Sequence, residues 1–451
     1  MKKKSIFALT VAAVMTAGLL SACGGAGGST ATTAATTAAT TAATTEATTA
    51  AATEAAGDAK VVTYWYNNSG DEALVYEEAI AAYNASQSAY KVEGLSVTDA
   101  QKLIVAMSSN ESPDVIKISN QQALQYQGNG LIDSLESYIS AENFDLGIYS
   151  PQSLSANSAG DALYGLPLTA YTIQMFYNKD LLEAAGYTEP PKTMEEMYEM
   201  AVEATVIGSD GNFEVLGYPL FPYASARQEL IYGFGGRWWD DSNKPTPQHE
   251  GILASLNLNV QYRDLYGKDA VNNFIGTANT NRYTEQDMFF QGKQLFRLDG
   301  SWLPTMMEGF GSTVNWGIAL IPGTEANPEL QGSSRFETDT LSIPTTAKEK
   351  DGAWDFLKWQ CGPEGAKIID VGTGNLPALK ALYEDADVLA KPGFAEFIDA
   401  LQTEKGIQYP IMNDLAEYWN IINASLDEVY AGTKTPEQAM EEVAAAAANL
   451  S

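Results

Sequence analysis

The chain has 451 residues, 45% of them hydrophobic and 18% charged, which is enough apolar material for a globular protein of roughly two or three domains or lobes. Its 57 Asp and Glu against 26 Lys and Arg give a formal net charge of −31, which argues against a nucleic-acid-binding protein because such a surface repels phosphate. Two cysteines exclude a disulfide framework, and a single histidine, His249, excludes chemistry that needs several imidazoles. We therefore expect no catalytic metal and no other cofactor.

The N-terminus has the layout of a bacterial export signal. Three lysines at positions 2–4 precede an apolar run over Ile6–Leu20, which is too short for a membrane span. The run ends in Leu20-Ser21-Ala22-Cys23, which resembles a lipobox. We expect a signal peptide over residues 1–22, a lipid on Cys23 and anchoring at the extracellular face of the bacterial cell membrane. An ordinary signal peptide with a chance cysteine is the alternative. The other cysteine, Cys361, is expected to be a buried, inert thiol.

Residues 24–57 contain only Gly, Ala, Ser and Thr with two glutamates. Without large apolar side chains this segment cannot bury enough surface to offset the entropy of ordering, so we expect a disordered tether. As a flexible coil it would span roughly 30 Å, and about 110 Å when fully extended. An alanine-rich helix is the alternative, although the threonines lower helix propensity.

The globular sequence begins near Lys60 with alternating strand and helix patterns. The pattern predicts, in order, a strand over Val61–Tyr66, a helix over 71–85, a strand over Lys91–Val97, a helix from Leu103 and a strand over Val115–Ser119. Such alternation is typical of an α/β sheet with crossover helices.

A second block repeats this alternation. The predicted elements are a strand over Thr172–Tyr177, a helix over Lys179–Ala185, a helix from the capping box at Thr193 to Ala204, a hairpin turn at Asp210-Gly211, and strands over Gln294–Leu298, Trp316–Ile321 and Leu341–Ile343. The remainder is mostly helical, and the last helix begins at Thr435-Pro436. Two α/β units followed by returning strands predict two lobes with a crossing chain and a cleft between them.

Four groups of segments occur in a characteristic order. They are Ser112–Val115 continuing to Ile139, Tyr164–Leu168 with Phe176–Leu182, Phe290–Lys293 with Asp299–Trp302, and Ala353–Lys358 with Gly374–Ala378. Together they resemble the extracellular solute-binding proteins of ABC importers, in the group that includes maltose-binding protein. The resemblance covers nearly all of residues 60–450.

The resemblance implies a type II binding-protein fold of two α/β lobes joined by crossing hinge segments. It places the crossings near Pro167–Tyr171, Gly300–Trp302 and Pro344–Lys348. The implied N-terminal lobe comprises 58–168 plus 303–345, and the C-terminal lobe 169–302 plus 346–451. The implied function is not enzymatic: a monomer closes its cleft on a carbohydrate, expected to be an oligosaccharide, and delivers it to a permease.

The resemblance also implies a ligand site. In the family, sugar contacts come from the loop after the first strand, the first crossing, the tryptophan after a glycine and a tryptophan of a C-terminal helix. The candidate positions here are Trp65, Tyr66, Asn67, Asn120, Tyr171, Ser301, Trp302 and Trp419. Tyr171 stands where maltose-binding protein has a carboxylate, and Ser119-Asn120 replaces a more charged loop, so the same sugar specificity is not implied.

Further candidates come from residue chemistry, because sugar C–H faces stack on aromatic rings and sugar hydroxyls need planar polar partners. Trp238, Trp239 and Asp240 follow a glycine-rich stretch, and adjacent tryptophans there cannot both face one core; packing within a lobe is the alternative. Arg335, with Glu337 beside it, either contacts ligand or lies in a solvated loop. Tyr223 is a further candidate. Trp354 and Trp359 are better explained by core packing, and His249 by simple exposure.

Two other functions remain open at this point. Aromatic boxes also hold cations, so a binding protein for a polyamine fits the acidic charge. A lipid-anchored glycoside hydrolase would need only two carboxylates roughly 5–10 Å apart. The abundance of acidic residues gives that second reading no specific support.

Overall fold

The computed structural model describes residues 59–109, 111–220, 229–412 and 414–450. The expected signal peptide, the lipidated Cys23, the tether and Tyr223 lie outside these residues. Within the described part of the chain, no helix is long and apolar enough to cross a membrane.

The described strands and helices follow one another through the whole globular part of the chain. The strands are β1 (Lys60–Tyr66), β2 (Tyr90–Ser96), β3 (Val115–Ser119), β4 (Ser158–Ala159), β5 (Ala162–Leu163), β6 (Leu166–Thr172), β7 (Gln174–Asn178), β8 (Val206–Ile207), β9 (Phe213–Val215), β10 (Phe296–Asp299), β11 (Trp316–Ala319), β12 (Ser334–Ser342), β13 (Leu376–Pro377) and β14 (Gly406–Ile407). The α-helices are α1 (Asp71–Ser86), α2 (Ala100–Met107), α3 (Asn120–Gly128), α4 (Glu136–Glu142), α5 (Pro151–Ala156), α6 (Lys179–Ala184), α7 (Met194–Ala204), α8 (Glu229–Gly233), α9 (Glu250–Tyr266), α10 (Lys268–Asn281), α11 (Leu303–Gly309), α12 (Lys350–Gln360), α13 (Pro363–Thr373), α14 (Ala386–Leu389), α15 (Phe394–Gln402), α16 (Leu415–Ala431) and α17 (Pro436–Ala447).

The first sheet has the strand order β13-β6-β12-β3-β1-β2, with β14 paired to β12. Strand β1 runs parallel to β2 and β3, while β12 runs antiparallel to both β3 and β6. The crossover helices α1 and α2 connect the parallel strands, as the alternating sequence pattern predicts. The long return strand β12 therefore lies between two strands that come from distant parts of the chain.

A second sheet has the order β10-β7-β11, and all its pairs are antiparallel. One hydrophobic core surrounds the first sheet and includes Tyr64, Phe356 and Ile369, while another includes Met175, Trp238 and Leu426. The first core also contains Phe176 of β7, so it is not confined to one sheet. The two sheets with their cores give the mixed, two-lobed α/β fold that the sequence predicts.

The lobe boundaries expected from the sequence stay a prediction. Helices α12 and α13 pack against α1 and β1, and their Trp354 and Ile369 belong to the core of the first sheet. Strand β11 pairs with β7 in the second sheet. These contacts favour assigning 350–373 to the lobe of the first sheet and 316–319 to the lobe of the second.

Strand β12 is longer than the sequence analysis predicts. Instead of starting at Leu341, it starts at Ser334, so Arg335 and Glu337 lie in a paired strand and not in a solvated loop. The sequence did not reveal the start of this strand because Ser334–Thr340 is mostly polar and lacks the apolar alternation by which a strand is recognised. The hairpin predicted at Asp210-Gly211 is present as β8–β9, and Gly211 has the positive φ of 80° that such a turn favours.

Several local predictions are confirmed by the packing. Trp354 is 3% exposed within the first core, and Trp359 packs against the same core. Cys361 is fully buried, and burial raises the pKa of its thiol well above the usual value, which makes it unreactive. His249 is only half-exposed: its Nδ1 accepts a hydrogen bond of 3.1 Å from the Gly251 amide at the start of α9.

Candidate functional site

Strand β12 presents a row of charged side chains on one face. Arg335, Glu337 and Asp339 are two residues apart, and residues at that spacing point to the same side of a strand. Tyr171 of β6 lies directly opposite Glu337, and Lys117 of β3 reaches Asp339 with its ammonium. Three strands from separate parts of the chain thus contribute to one polar surface.

Asp339 is the centre of a buried hydrogen-bonded group. Its carboxylate lies 2.6 Å from the Nζ of Lys117, whose side chain is 3% exposed. The Tyr171 hydroxyl donates a hydrogen bond to the same carboxylate oxygen. Lys117 also donates to the Oδ1 of Asn67 at 2.9 Å. Burial and then the Asp339 carboxylate raise the pKa of Tyr171 well above its usual value, so its hydroxyl stays protonated and donates.

Trp302 borders this group. Its ring centroid lies 6.3 Å from that of Tyr171. The indole Nε1 donates to the Tyr283 hydroxyl at 2.6 Å, and that hydroxyl donates to Asp299 at 2.8 Å. Its single donor is used and its side chain is half-buried, so the part of Trp302 that remains accessible is apolar.

A buried ion-pair cluster lies beneath Trp302. Arg297 places one nitrogen 2.7 Å from both carboxylate oxygens of Asp287 and another 2.8 Å from Asp299. All three side chains are at most 6% exposed. A buried charge is tolerated only when it is paired in this way, so the cluster holds the end of β10, which Trp302 follows three residues later.

At the other end of the row, Arg335 joins two carboxylates. Its guanidinium lies 3.0 Å from Glu337 and 3.1 Å from Glu229 of α8. Glu229 is completely buried and accepts hydrogen bonds from the Ser334 hydroxyl at 3.0 Å and the Arg335 amide at 3.1 Å. Burial raises the pKa of Glu229 to about 7, although the nearby Arg335 opposes that rise.

An aromatic cluster lies next to Arg335. The ring centroids of Trp239, Tyr409 and Trp419 are 5.7 to 5.9 Å apart. Burial raises the pKa of Tyr409, and the charges of Glu337 and Arg335 act on it directly. Tyr409 and Trp419 are half-buried, so this cluster also offers partly accessible rings. We call the set Trp302, Tyr171, Glu337, Arg335, Tyr409, Trp419 and Trp239 the aromatic row.

The structure brings five of the expected ligand residues into this row: Tyr171, Trp302, Arg335, Trp239 and Trp419. Asn67 joins it indirectly, through Lys117. The Ser301 hydroxyl, next to Trp302, donates to the Gly374 carbonyl at 2.9 Å.

Other expected ligand residues have structural contacts of their own. Tyr66 is 3% exposed and stacks on Tyr76. Trp238 is fully buried in the second core, to which Trp239 also belongs, so the expectation that these adjacent tryptophans cannot both face one core is wrong. Asn120 is 2% exposed and accepts a hydrogen bond of 3.1 Å from the Thr338 amide. A role for these three in binding stays a prediction, and it would require movement because none is accessible.

Trp65 and Asp240 also have structural contacts of their own. The Trp65 ring packs at a smaller core under the Lys102 ammonium, which is 5.6 Å from its centroid. Asp240 is exposed and accepts hydrogen bonds from the amides of Ser242 at 2.8 Å and Lys244 at 3.0 Å, which lower its pKa. Asp240 therefore closes a turn, and its contact with ligand stays a prediction.

Sequence reasoning missed Asp339, Lys117, Tyr409, Tyr283 and Glu229. One signal was available: Arg335, Glu337 and Asp339 alternate with uncharged residues, which is the pattern of one polar strand face. The others carry no local signal, because their significance depends on partners far away in the sequence. Among the described residues, no group of three or more His, Cys, Asp and Glu is arranged to hold a metal ion.

Comparisons with known proteins agree on one family. Residues 76–367 match the family model for bacterial extracellular solute-binding proteins. The chain is 23% identical over 387 residues to the maltotriose-binding protein of Pyrococcus abyssi, covering 84% of this chain and 79% of that protein. It is 24% identical over 400 residues to the galactooligosaccharide-binding protein of Bacillus subtilis, covering 84% and 89%.

Among solved structures, the chain resembles CpMnBP1 with mannotriose bound. The TM-score is 0.72 at 23% identity, and the match covers 86% of this chain and 100% of that one. At this level of identity the likeness establishes the fold.

Proposed function

Because the chain belongs to the family of bacterial extracellular solute-binding proteins, we propose that it captures a carbohydrate, expected to be an oligosaccharide, and delivers it to an ABC importer. The aromatic row is the observation that carries this proposal. Half-buried rings at both ends of a line of hydrogen-bonding charged groups match the alternating apolar faces and hydroxyls of a sugar chain.

The row supports binding without bond cleavage. Trp302 offers a ring face at one end, and Trp419 with Tyr409 offers rings at the other. Between them, Arg335 and Glu337 present planar donors and acceptors to hydroxyl groups. Closure of the lobes would add contacts that the open state lacks, so ligand would shift the population toward the closed state that a permease recognises.

The charged groups in and beside the aromatic row favour a neutral ligand over a polyamine. Asp339 is paired with Lys117, and both Glu229 and Glu337 are paired with Arg335. A polyamine would have to replace these partners, whereas a neutral hydroxyl can share them. A hydrolase has no comparable support, since these carboxylates are engaged in ion pairs.

The remaining parts of the proposal rest on the sequence. A lipid on Cys23 would hold the monomeric protein at the extracellular face of the cell membrane, and residues 24–57 would let the globular part stand away from it. The crossings near Pro167–Tyr171, Gly300–Trp302 and Pro344–Lys348 would act as the hinge.

A ligand screen by thermal shift and calorimetry tests the function. Neutral oligosaccharides, monosaccharides, amino acids and spermidine are added to the full chain. A ligand at a hundred times its Kd should stabilise the protein by about 2.7 kcal/mol. We expect one neutral sugar series to shift the melting temperature, with little dependence on salt and with loss of the shift in Trp302→Ala. If spermidine alone shifted the melting temperature, and did so in a salt-sensitive way, the ligand would be a cation and the carbohydrate proposal would be wrong.

A further inference from the structure

Tyr283 has a backbone conformation that bulky residues rarely adopt. It lies two residues after the end of α10 and has a φ of 53°, in the left-handed region where a side chain with a Cβ is strained. Among the described residues, it is the one aromatic residue with a positive φ. Such strain persists only where the surrounding contacts hold the residue firmly, and it is often found at functional sites.

The buried ion-pair cluster supplies these contacts. The Tyr283 amide donates to Oδ2 of Asp287 at 3.1 Å, and its hydroxyl donates to Oδ1 of Asp299 at 2.8 Å. Arg297 bridges these two carboxylates and places its guanidinium 5.4 Å from the centre of the Tyr283 ring. The guanidinium of Arg282 lies 4.2 Å from the same ring centre. Contacts to its amide, its ring and its hydroxyl thus keep Tyr283 in the strained conformation.

The orientation of the Tyr283 hydroxyl suits the indole of Trp302. A phenol has one proton to donate and two lone pairs with which to accept. An ionised carboxylate can only accept, so the proton points to Asp299 and the lone pairs face other donors. They accept from Nε1 of Trp302 at 2.6 Å and from the guanidinium of Arg282. Because the indole nitrogen can only donate, this arrangement fixes the direction in which Trp302 bonds.

Gly300 holds the indole from another side. A Cβ placed on Gly300 would lie 2.2 Å from two atoms of the six-membered ring of Trp302, far inside normal contact distance. The indole therefore occupies space that any other side chain at position 300 would fill. The Gly300 amide donates at 2.9 Å to the same Asp299 oxygen that accepts from Tyr283. We call Tyr283, Asp299 and Gly300 the indole cradle.

We propose that Tyr283 is a positioning residue, which together with Gly300 fixes the Trp302 ring in its binding orientation before the ligand arrives. This inference rests on the proposed function, in which Trp302 contacts the carbohydrate. A ring that is already ordered loses little rotamer freedom when it stacks on a sugar, so binding costs less entropy. The strained backbone brings the hydroxyl to the indole, which explains why a tyrosine occupies a left-handed position.

The first test needs no ligand. In the full chain with isotope-labelled tryptophan, the indole N–H resonance of Trp302 is identified by its absence in Trp302→Phe. Tyr283→Phe removes only the hydroxyl, so we expect the Trp302 indole proton to exchange with water at least about tenfold faster. Tyr149→Phe is the matched control, because it removes a buried tyrosine hydroxyl that donates at 2.8 Å to the Cys361 carbonyl. It should leave the exchange rate of Trp302 unchanged.

The second test measures Kd by calorimetry with mannotriose, maltotriose and a galactooligosaccharide. Tyr283→Phe should weaken binding about three- to tenfold when Trp302 is present, and less than about twofold in the Trp302→Phe background. In that background no indole N–H remains for the hydroxyl to hold. Gly300→Ala, which keeps the hydroxyl but displaces the ring, should also weaken binding. Tyr149→Phe should leave Kd unchanged.

The outcomes separate the two proposals. Wild-type exchange of the indole proton in Tyr283→Phe would overturn the positioning role, whatever the ligand. Equal weakening by Tyr283→Phe in both backgrounds would overturn it as well, while the proposed function would stand. If the wild type binds none of the three sugars, the carbohydrate proposal fails, and the effect of Tyr283 on affinity fails with it. Should Tyr283→Phe lower the melting temperature, Gly300→Ala decides, and an unchanged Kd in that variant contradicts the proposal.

Discussion

The carboxylate of Glu229 lies 3.1 Å from the Nε of Arg335 and is completely buried there. This ion pair joins α8, whose Leu230 and Ile231 belong to the core of the second sheet, to β12 of the first sheet. The same guanidinium reaches Glu337 at 3.0 Å. Arg335 thus connects the packing of the two cores to the centre of the aromatic row. The protonation of Glu229 should therefore affect both the packing and the row.

Stability should depend on pH through Glu229. Its pKa in the folded protein is about 7, above the ordinary value of 4.5. A raised folded-state pKa contributes stability that is complete below pH 4.5 and is lost as pH rises through 7. That loss amounts to roughly 3 kcal/mol at about 1.4 kcal/mol per pKa unit.

Glu229→Gln should remove this part of the pH dependence. Urea unfolding at pH 4.5, 6 and 8 measures the difference, and Glu183→Gln, at an exposed position, is the control. Identical pH profiles for Glu229→Gln and the wild type would show that the carboxyl does not titrate in this range.

Lys117 and Asp339 should be interdependent. Their atoms are 2.6 Å apart in a buried setting, so removal of one leaves an uncompensated charge. Lys117→Met and Asp339→Asn should each lower the free energy of unfolding by about 3–5 kcal/mol. The loss in the double variant should be smaller than the sum of the two single losses. Denaturant unfolding of all four proteins completes the double-mutant cycle. Strict additivity would mean that the pair is not energetically coupled.

Trp419 should contribute to affinity more than to stability. It is half-buried and lies edge-to-face with Trp239 and Tyr409, so part of its side chain stays accessible. We expect Trp419→Ala to weaken sugar binding about tenfold or more. This is the loss expected when one aromatic contact with the sugar, and the apolar area that it buries, is removed. Trp359→Ala, which changes a half-buried tryptophan of the other core, should leave Kd unchanged. Equal effects of both variants on Kd would argue for a general loss of folding.

Asp370 should destabilise the protein at neutral pH. It is fully buried on α13, and neither carboxylate oxygen has a hydrogen-bond partner among the described residues. Burial alone raises its pKa well above the ordinary value of 3.8. Its stability contribution is therefore complete below pH 3.8 and falls as pH rises.

Asp370→Asn keeps the shape and removes the charge. The variant should be more stable than the wild type by about 1–3 kcal/mol at pH 7, with a smaller difference near pH 4. Thermal melts at the two pH values provide the measurement. A variant that is less stable at pH 7 would indicate that Asp370 is ionised and held by a partner.

Much of the fold could be predicted because its signals are local. The alternation of Val61–Tyr66, the helix start at Thr193 and the turn at Gly211 each depend on neighbouring residues, and all three occur in the structure. Only half of the predicted capping box forms, because the Thr193 hydroxyl accepts from the Glu196 amide while the Glu196 carboxylate accepts from the Lys192 amide. Strand β12 could only be found in part, since polar residues on both sides of Phe336 resemble a loop until β3 and β6 pair with them. Of the candidate site, the tryptophans were predicted because aromatic residues are rare and conspicuous, while their buried polar partners were not.

The family, the α/β class and the aromatic, acidic character of the chain follow from the amino-acid order and composition alone, because motifs and periodicity are properties of short stretches. Which side chains act together depends on how distant parts of the chain pack. Tyr171 and Asp339 are 168 positions apart, and they meet because the register of β6 on β12 sets their places. Burial also decided what those residues are chemically: the carboxyl of Glu229 has a pKa of about 7 only because the packing of α8 against β12 removes it from water.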